Sequence, residues 1–138
     1  MFRILISRQS RYPADTKALK KRVKDTLLEH NLTLGEVSIA LVGERKMKEL
    51  SKRHLGEQNR LHEVLSFPAL ETKGGPASTR GERDFVVPEE ELLMLGDIVI
   101  CYPEARKIAM KRNRMVDDVL GELAEHGTLH LLGIHHEE

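Results

Sequence analysis

The chain has 138 residues, 40% hydrophobic and 32% charged, which suits one domain spanning residues 1–138 and leaves little room for a second. Formal net charge is zero, which argues against a protein held to nucleic acid by bulk positive charge alone. The single cysteine, Cys101, excludes an internal disulfide and cannot make a thiolate zinc site by itself. In chain order, residues 2–7 are rich in Ile and Leu and predict a first strand. Pro13-Ala14-Asp15 reads as a helix start with Asp15 as N-cap, and Leu19, Val23, Leu27 and Leu28 carry an amphipathic helix to about Asn31. Residues 35–42 (GEVSIALV) alternate as a second strand, and a short charged helix follows with Met47 and Leu50 inward. Val64-Leu65-Ser66-Phe67 predicts a third strand stopped by Pro68. Residues 71–91, with Gly74, Gly75, Pro76, Gly81 and Pro88, read as a long surface loop with a brief strand at Phe85-Val86-Val87. Residues 95–102 (LGDIVICY) predict a fourth strand, Pro103 opens a helix to about Lys111, and residues 116–132 form the last helix, closed by Gly133. The order β-α-β-α-β-β-α-α predicts a single α/β (α+β) domain, a mixed four-stranded sheet covered by helices.

The opening MFRILISRQSRYP has an apolar stretch too short for a signal peptide or a membrane span, so a cytoplasmic location is expected. Cys101 lies in the run Ile98-Val99-Ile100-Cys101 and reads as a small buried hydrophobe. Charge is unevenly spread. Residues 3–24 hold eight Lys and Arg against one acid, residues 106–114 hold five bases and no acid, and residues 115–138 hold six acids and no Lys or Arg. Solvated helix faces explain such runs, and so does a polyanionic partner.

The chemistry concentrates in the tail. His126 and His130 are four apart on a predicted helix, so their side chains leave one face on adjacent turns. Two imidazoles so placed reach one metal at about 2.0–2.1 Å. Gly133 can take the left-handed conformation that ends a helix and folds the chain back, bringing His136, or alternatively its neighbour His135, to the same ion. Three neutral nitrogen ligands would leave a fourth tetrahedral position for water, the arrangement of a catalytic zinc. His126, His130 and His136 also match the spacing of the metzincin pattern H-E-x-x-H-x-x-G-x-x-H. That pattern places its general base, Glu, directly after the first histidine, where this chain has Gly127. Glu125 precedes the ligand and should project about 100° away on the helix. A metallopeptidase is therefore disfavoured, while zinc-activated water still permits hydrolysis.

HGTLHLLGIHH resembles the signature H-G-x-L-H-L-x-G-Y-D-H of the YbeY family of bacterial endoribonucleases, the rRNA maturation factors. Val64-Leu65-Ser66-Phe67-Pro68 is similar to that family's V-L-S-F-P strand, and Leu95-Gly96-Asp97-Ile98 to its L-G-D-I strand. The resemblance runs from about Val37 to the end of the sequence given. It implies one zinc ion per chain on the C-terminal helix, held by His126, His130 and His136. It implies cleavage of single-stranded RNA or rRNA in ribosome maturation and quality control, with the small subunit or its assembly factors as partners and neither DNA nor membrane. The chain departs from the family at Ile134-His135, which replaces Tyr-Asp, and at His62-Glu63, which replaces Thr-Asp/Asn. The sequence also stops two residues after His136, short of an extension the family often carries. The family's loop Arg falls at Leu55 or Gly56 here, and Arg53 and Arg60 are the nearby guanidinium groups suited to a substrate phosphate. These departures keep a non-catalytic ribosome assembly protein with a structural zinc as the alternative to a nuclease. Asp97, within an apolar strand, is expected to have a partner, and Ser66 either lies near the metal or faces a helix.

Overall fold

Strict alternation in Gly35–Val42, with every second residue buried and the others half-buried, marks a strand covered on both faces. This strand, β2, occupies the middle of the sheet in the computed structural model, which describes residues 1–56, 61–69 and 93–134. In chain order the elements are β1 (Phe2–Ser7), α1 (Thr16–Glu29), β2 (Gly35–Val42), α2 (Glu44–Leu55), β3 (Val64–Pro68), β4 (Met94–Cys101), α3 (Tyr102–Lys111) and α4 (Val116–Leu131). The sheet runs β1-β2-β4-β3, with β1, β2 and β4 parallel and β3 antiparallel to β4. The mixed α/β sheet expected from the sequence is therefore the fold. The long loop and the brief strand at residues 85–87 lie outside the described residues.

The sheet separates two apolar layers. On one face Ile4, Val37, Ile39, Ile98 and Ile100 pack against Leu19, Val23 and Leu27 of α1, Ala105 of α3, and Val119, Leu120 and Ala124 of α4. On the other face Met47 of α2 packs against Leu65, Val99 and Cys101. Tyr12 stacks on Tyr102 at 4.7 Å, and the Tyr102 hydroxyl donates to the Pro13 carbonyl at 2.6 Å, which ties the segment before α1 to the start of α3.

Three boundaries differ from expectation for local reasons. Helix α1 stops at Glu29 because Asn31 adopts φ +69°, a left-handed conformation that Asn tolerates and a helix does not. Strand β3 includes Pro68, which pairs with Gly96; an edge strand tolerates a residue with no N–H to donate. Helix α3 begins at Tyr102, one residue before Pro103, which sits in the first turn where its missing N–H costs nothing. The Asp15 cap is as expected, its carboxylate accepting from the Ala18 amide at 3.1 Å.

Cys101 is fully buried in the α2 layer, and burial pushes its thiol up from the ordinary cysteine range. The native protein is expected to resist alkylation by iodoacetamide at neutral pH and to label in full once unfolded in urea. Rapid labelling of the folded chain, read by mass spectrometry, would show that the α2 layer opens readily.

Candidate functional site

Helix α4 has two working faces. One packs on the sheet through Leu120, Ala124 and Gly127, and the other presents His126 and His130. The two rings lie 4.5 Å apart, and their Nε2 atoms approach to 3.1 Å. Two nitrogens on a tetrahedral ion at about 2.0–2.1 Å are about 3.3–3.4 Å apart, so this pair is spaced to share one zinc with little movement. His126 is exposed and His130 half-buried, which leaves the facing space open to a substrate.

Directly after the second histidine the helix is closed by a Schellman turn. The Gly133 amide donates to the His130 carbonyl at 3.0 Å, the Ile134 amide donates to the Leu129 carbonyl at 2.9 Å, and Gly133 has φ +81°. The sharp reversal expected at Gly133 is present. His136, and its alternative His135, lie outside the described residues. Among the described residues no group of three His, Cys, Asp or Glu side chains is placed to hold a metal.

Gly127 explains why the helix can sit where it does. A Cβ there would meet Ile98 Cγ2 at 2.8 Å, closer than real Cβ contacts come, and Ser66 Oγ at 3.0 Å, tighter than nearly all of them. The Ser66 hydroxyl instead donates to the Gly127 carbonyl at 3.1 Å, joining α4 to β3 beside His126. Ser66 thus faces the helix. The same geometry bears on the protease comparison, because the residue after the first histidine points into the sheet. A glutamate there would be buried against Ile98 and could not serve the histidine face. Two described acids of the same helix are also engaged elsewhere. Glu125 accepts from Arg22 of α1 at 2.7 and 2.9 Å, and Glu122 pairs with Arg114 at 2.7 Å.

The remaining candidates are spread more widely. Arg53 lies in the last turn of α2 and pairs with Glu49 at 3.1 Å. Its neighbour His54 packs its ring 4.8 Å from that of Phe67, on the sheet face away from α4. Arg60 falls outside the described residues. Asp97, expected to have a partner, is exposed on β4, on the same sheet face as Phe67 and Val99. In the second basic segment, Lys107 pairs with Glu104 at 3.2 Å and Glu44 at 3.5 Å, and Arg106 lies over the Tyr102 ring. Those bases serve helix packing. The sequence reading did not foresee the Ser66–Gly127 contact or the Arg22–Glu125 pair. A small residue between two apolar positions of a sheet-packed helix was the only available signal for the first, and long-range ion pairs leave none.

Fold and site together define a single-domain α/β protein that presents a helix-borne histidine pair beside the antiparallel edge of its sheet. The family model described as endoribonuclease YbeY matches residues 5–138. An endoribonuclease YbeY of Dehalococcoides mccartyi is 33% identical over 139 residues, covering 99% of this chain and 79% of the relative. That of Thermobifida fusca is 33% identical over 136 residues, with 96% and 80% covered. The solution structure of TM1509 from Thermotoga maritima superposes with a TM-score of 0.57 at 26% identity, covering 99% of this chain and 75% of that one. The chain belongs to the endoribonuclease YbeY family.

Proposed function

We propose that this chain is a zinc-dependent endoribonuclease that cuts single-stranded RNA in rRNA maturation and ribosome quality control. The observation that carries the reading is the convergence of the His126 and His130 Nε2 atoms at 3.1 Å, close to the edge of a tetrahedral zinc site. His136 would complete the ligand set after the turn at Gly133. When bound, zinc lowers the pKa of water and polarises a phosphoryl oxygen, which removes the need for a carboxylate base at position 127. Arg53, after release from Glu49, and Arg60 are the candidates for holding the scissile phosphate. Among the described residues no helix is long and apolar enough to cross a membrane, and a cytoplasmic enzyme acting with the small ribosomal subunit or its assembly factors fits the family.

The test is metal content and cleavage of the purified protein. One zinc per chain is expected, with cuts in single-stranded but not double-stranded RNA that stop on chelation and return with zinc. Intact RNA despite one bound zinc would sink the enzymatic reading and favour an assembly protein with a structural ion.

A further inference from the structure

Lys17, Lys20, Lys21 and Lys24 stand at i, i+3, i+4 and i+7 of α1 and therefore form one stripe, all exposed. The stripe overhangs β1, and together with residues 2–5 of that strand it lines an open cleft of about 640 Å³. Lys21 is paired with Asp25 at 2.9 Å. Lys17, Lys20 and Lys24 have no ion-pair partner among the described residues, and what sets them apart from other unpaired surface cations is their place on one stripe lining one cleft. Three adjacent cations left uncompensated beside a cleft are an anion-binding feature rather than packing surface.

We propose that this cleft is a second RNA-binding site, which holds the phosphate backbone of the single-stranded substrate away from the point of cleavage. The inference rests on the reading of the chain as an RNA-cleaving enzyme. With a rise of about 1.5 Å per residue, the three lysines are stepped about 4.5 and 6 Å along α1, a spacing on the scale of successive backbone phosphates. A nucleic-acid strand offers an anion at every residue, so it can meet all three at once. An extended protein segment is the competing occupant, since β1 pairs only with β2 among the described residues. It would need acidic side chains in a matching register to neutralise the same stripe, whereas RNA needs no register.

The cleft lies beside β1 on one flank of α1; the histidine helix is tied to α1 through Arg22 and Glu125 and reaches β3, at the opposite edge of the sheet. Three strand spacings separate those edges, about 14 Å. An RNA engaged at both must extend over several nucleotides, so long substrates gain from the cleft and very short ones do not. Phe2, partly buried, is the one aromatic side chain lining the cleft among the described residues. Base stacking is correspondingly minor, and binding is expected to be indifferent to sequence and steeply dependent on salt.

The test is fluorescence anisotropy with a labelled oligouridylate of about twenty nucleotides, in chelator so that binding is read without cleavage. The neutral variant K17Q/K20Q/K24Q and the reversed variant K17E/K20E/K24E are compared with the wild-type chain. At low salt the neutral variant is expected to bind about tenfold more weakly and the reversed one weaker still. The slope of log affinity against log salt should fall by about 2, three contacts at about 0.7 each. Unchanged affinity and slope in both variants overturn the proposal. So does lysine-dependent binding of a Glu/Val alternating peptide that the oligouridylate does not displace. Loss of cleavage with lysine-dependent binding intact would instead count against the enzymatic reading alone.

Discussion

Replacing His130 with Ala is expected to remove zinc and RNA cleavage together while leaving the fold in place. His130 is half-buried in the last turn of α4, and the face it occupies is open beside His126. Alanine is the better helix former at this half-buried position, so the thermal transition of the metal-free variant should lie close to that of the metal-free parent. The loss should fall on the site. Outer-shell groups around zinc already contribute 10–100-fold to affinity, so losing a direct ligand should cost more than about 100-fold. Zinc content after dialysis, circular dichroism and cleavage of a single-stranded RNA give the three readings. A variant that keeps its zinc and cuts normally would mean that the close approach of His126 and His130 is a surface feature. His126→Ala should behave in the same way, because either imidazole alone leaves the ion without its bidentate helix platform.

Gly127→Ala is the second large effect, and it acts through packing. The added methyl would need space now occupied by Ile98 Cγ2 at 2.8 Å and Ser66 Oγ at 3.0 Å. Alanine favours the helix by up to about 1 kcal/mol over glycine, while overpacking a rigid interface costs about 1–3 kcal/mol, so a net loss is expected. At this chain length each kcal/mol is worth roughly 3–4 °C in Tm. Relief of the clash moves α4 off the sheet near His126, so zinc affinity should fall along with Tm. Gly127→Glu, which restores the protease-type sequence, should be worse, because it drives a carboxylate against Ile98. An Ala variant that melts with the parent and binds zinc normally would show that α4 and β3 have slack between them.

Local signals carried most of the fold. The period-2 alternation of residues 35–42, the apolar repeat Leu19-Val23-Leu27 and the Asp15 cap each correspond to a contact in the structure. At the site, the i, i+4 spacing of His126 and His130 was enough to place two nitrogens together, and Gly133 marked the turn. The errors arose where tertiary context outweighs the local rule. Pro68 reads as a strand breaker until β3 is known to be an edge among the described strands, and Asp97 reads as a carboxylate in need of a partner until its exposure is known. Gly127 was legible as a missing base but not as a packing requirement, because Ser66 and Ile98 are far away in sequence. Charge runs gave the least. The two basic segments look alike on paper, and each mixes paired with unpaired cations: Lys107 and Arg114 are paired in one, Arg3, Lys21 and Arg22 in the other, through acids that no local rule locates.

The antiparallel edge strand has a consequence for the lifetime of the site. β2 and β4 have strands on both sides, so their hydrogen bonds break only when the domain as a whole unfolds. Among the described residues β3 is held by one neighbour; it is five residues long and ends in a residue that cannot donate. It can fray by sub-global opening at a lower free energy than the core, and the Ser66 link to α4 is lost whenever it does. The histidine helix is thus anchored on one side to the most durable part of the molecule and on the other to its least durable strand. A ligand that braces β3 against α4 would slow that breathing and hold the histidine face in register, without changing the global melting of the parallel core.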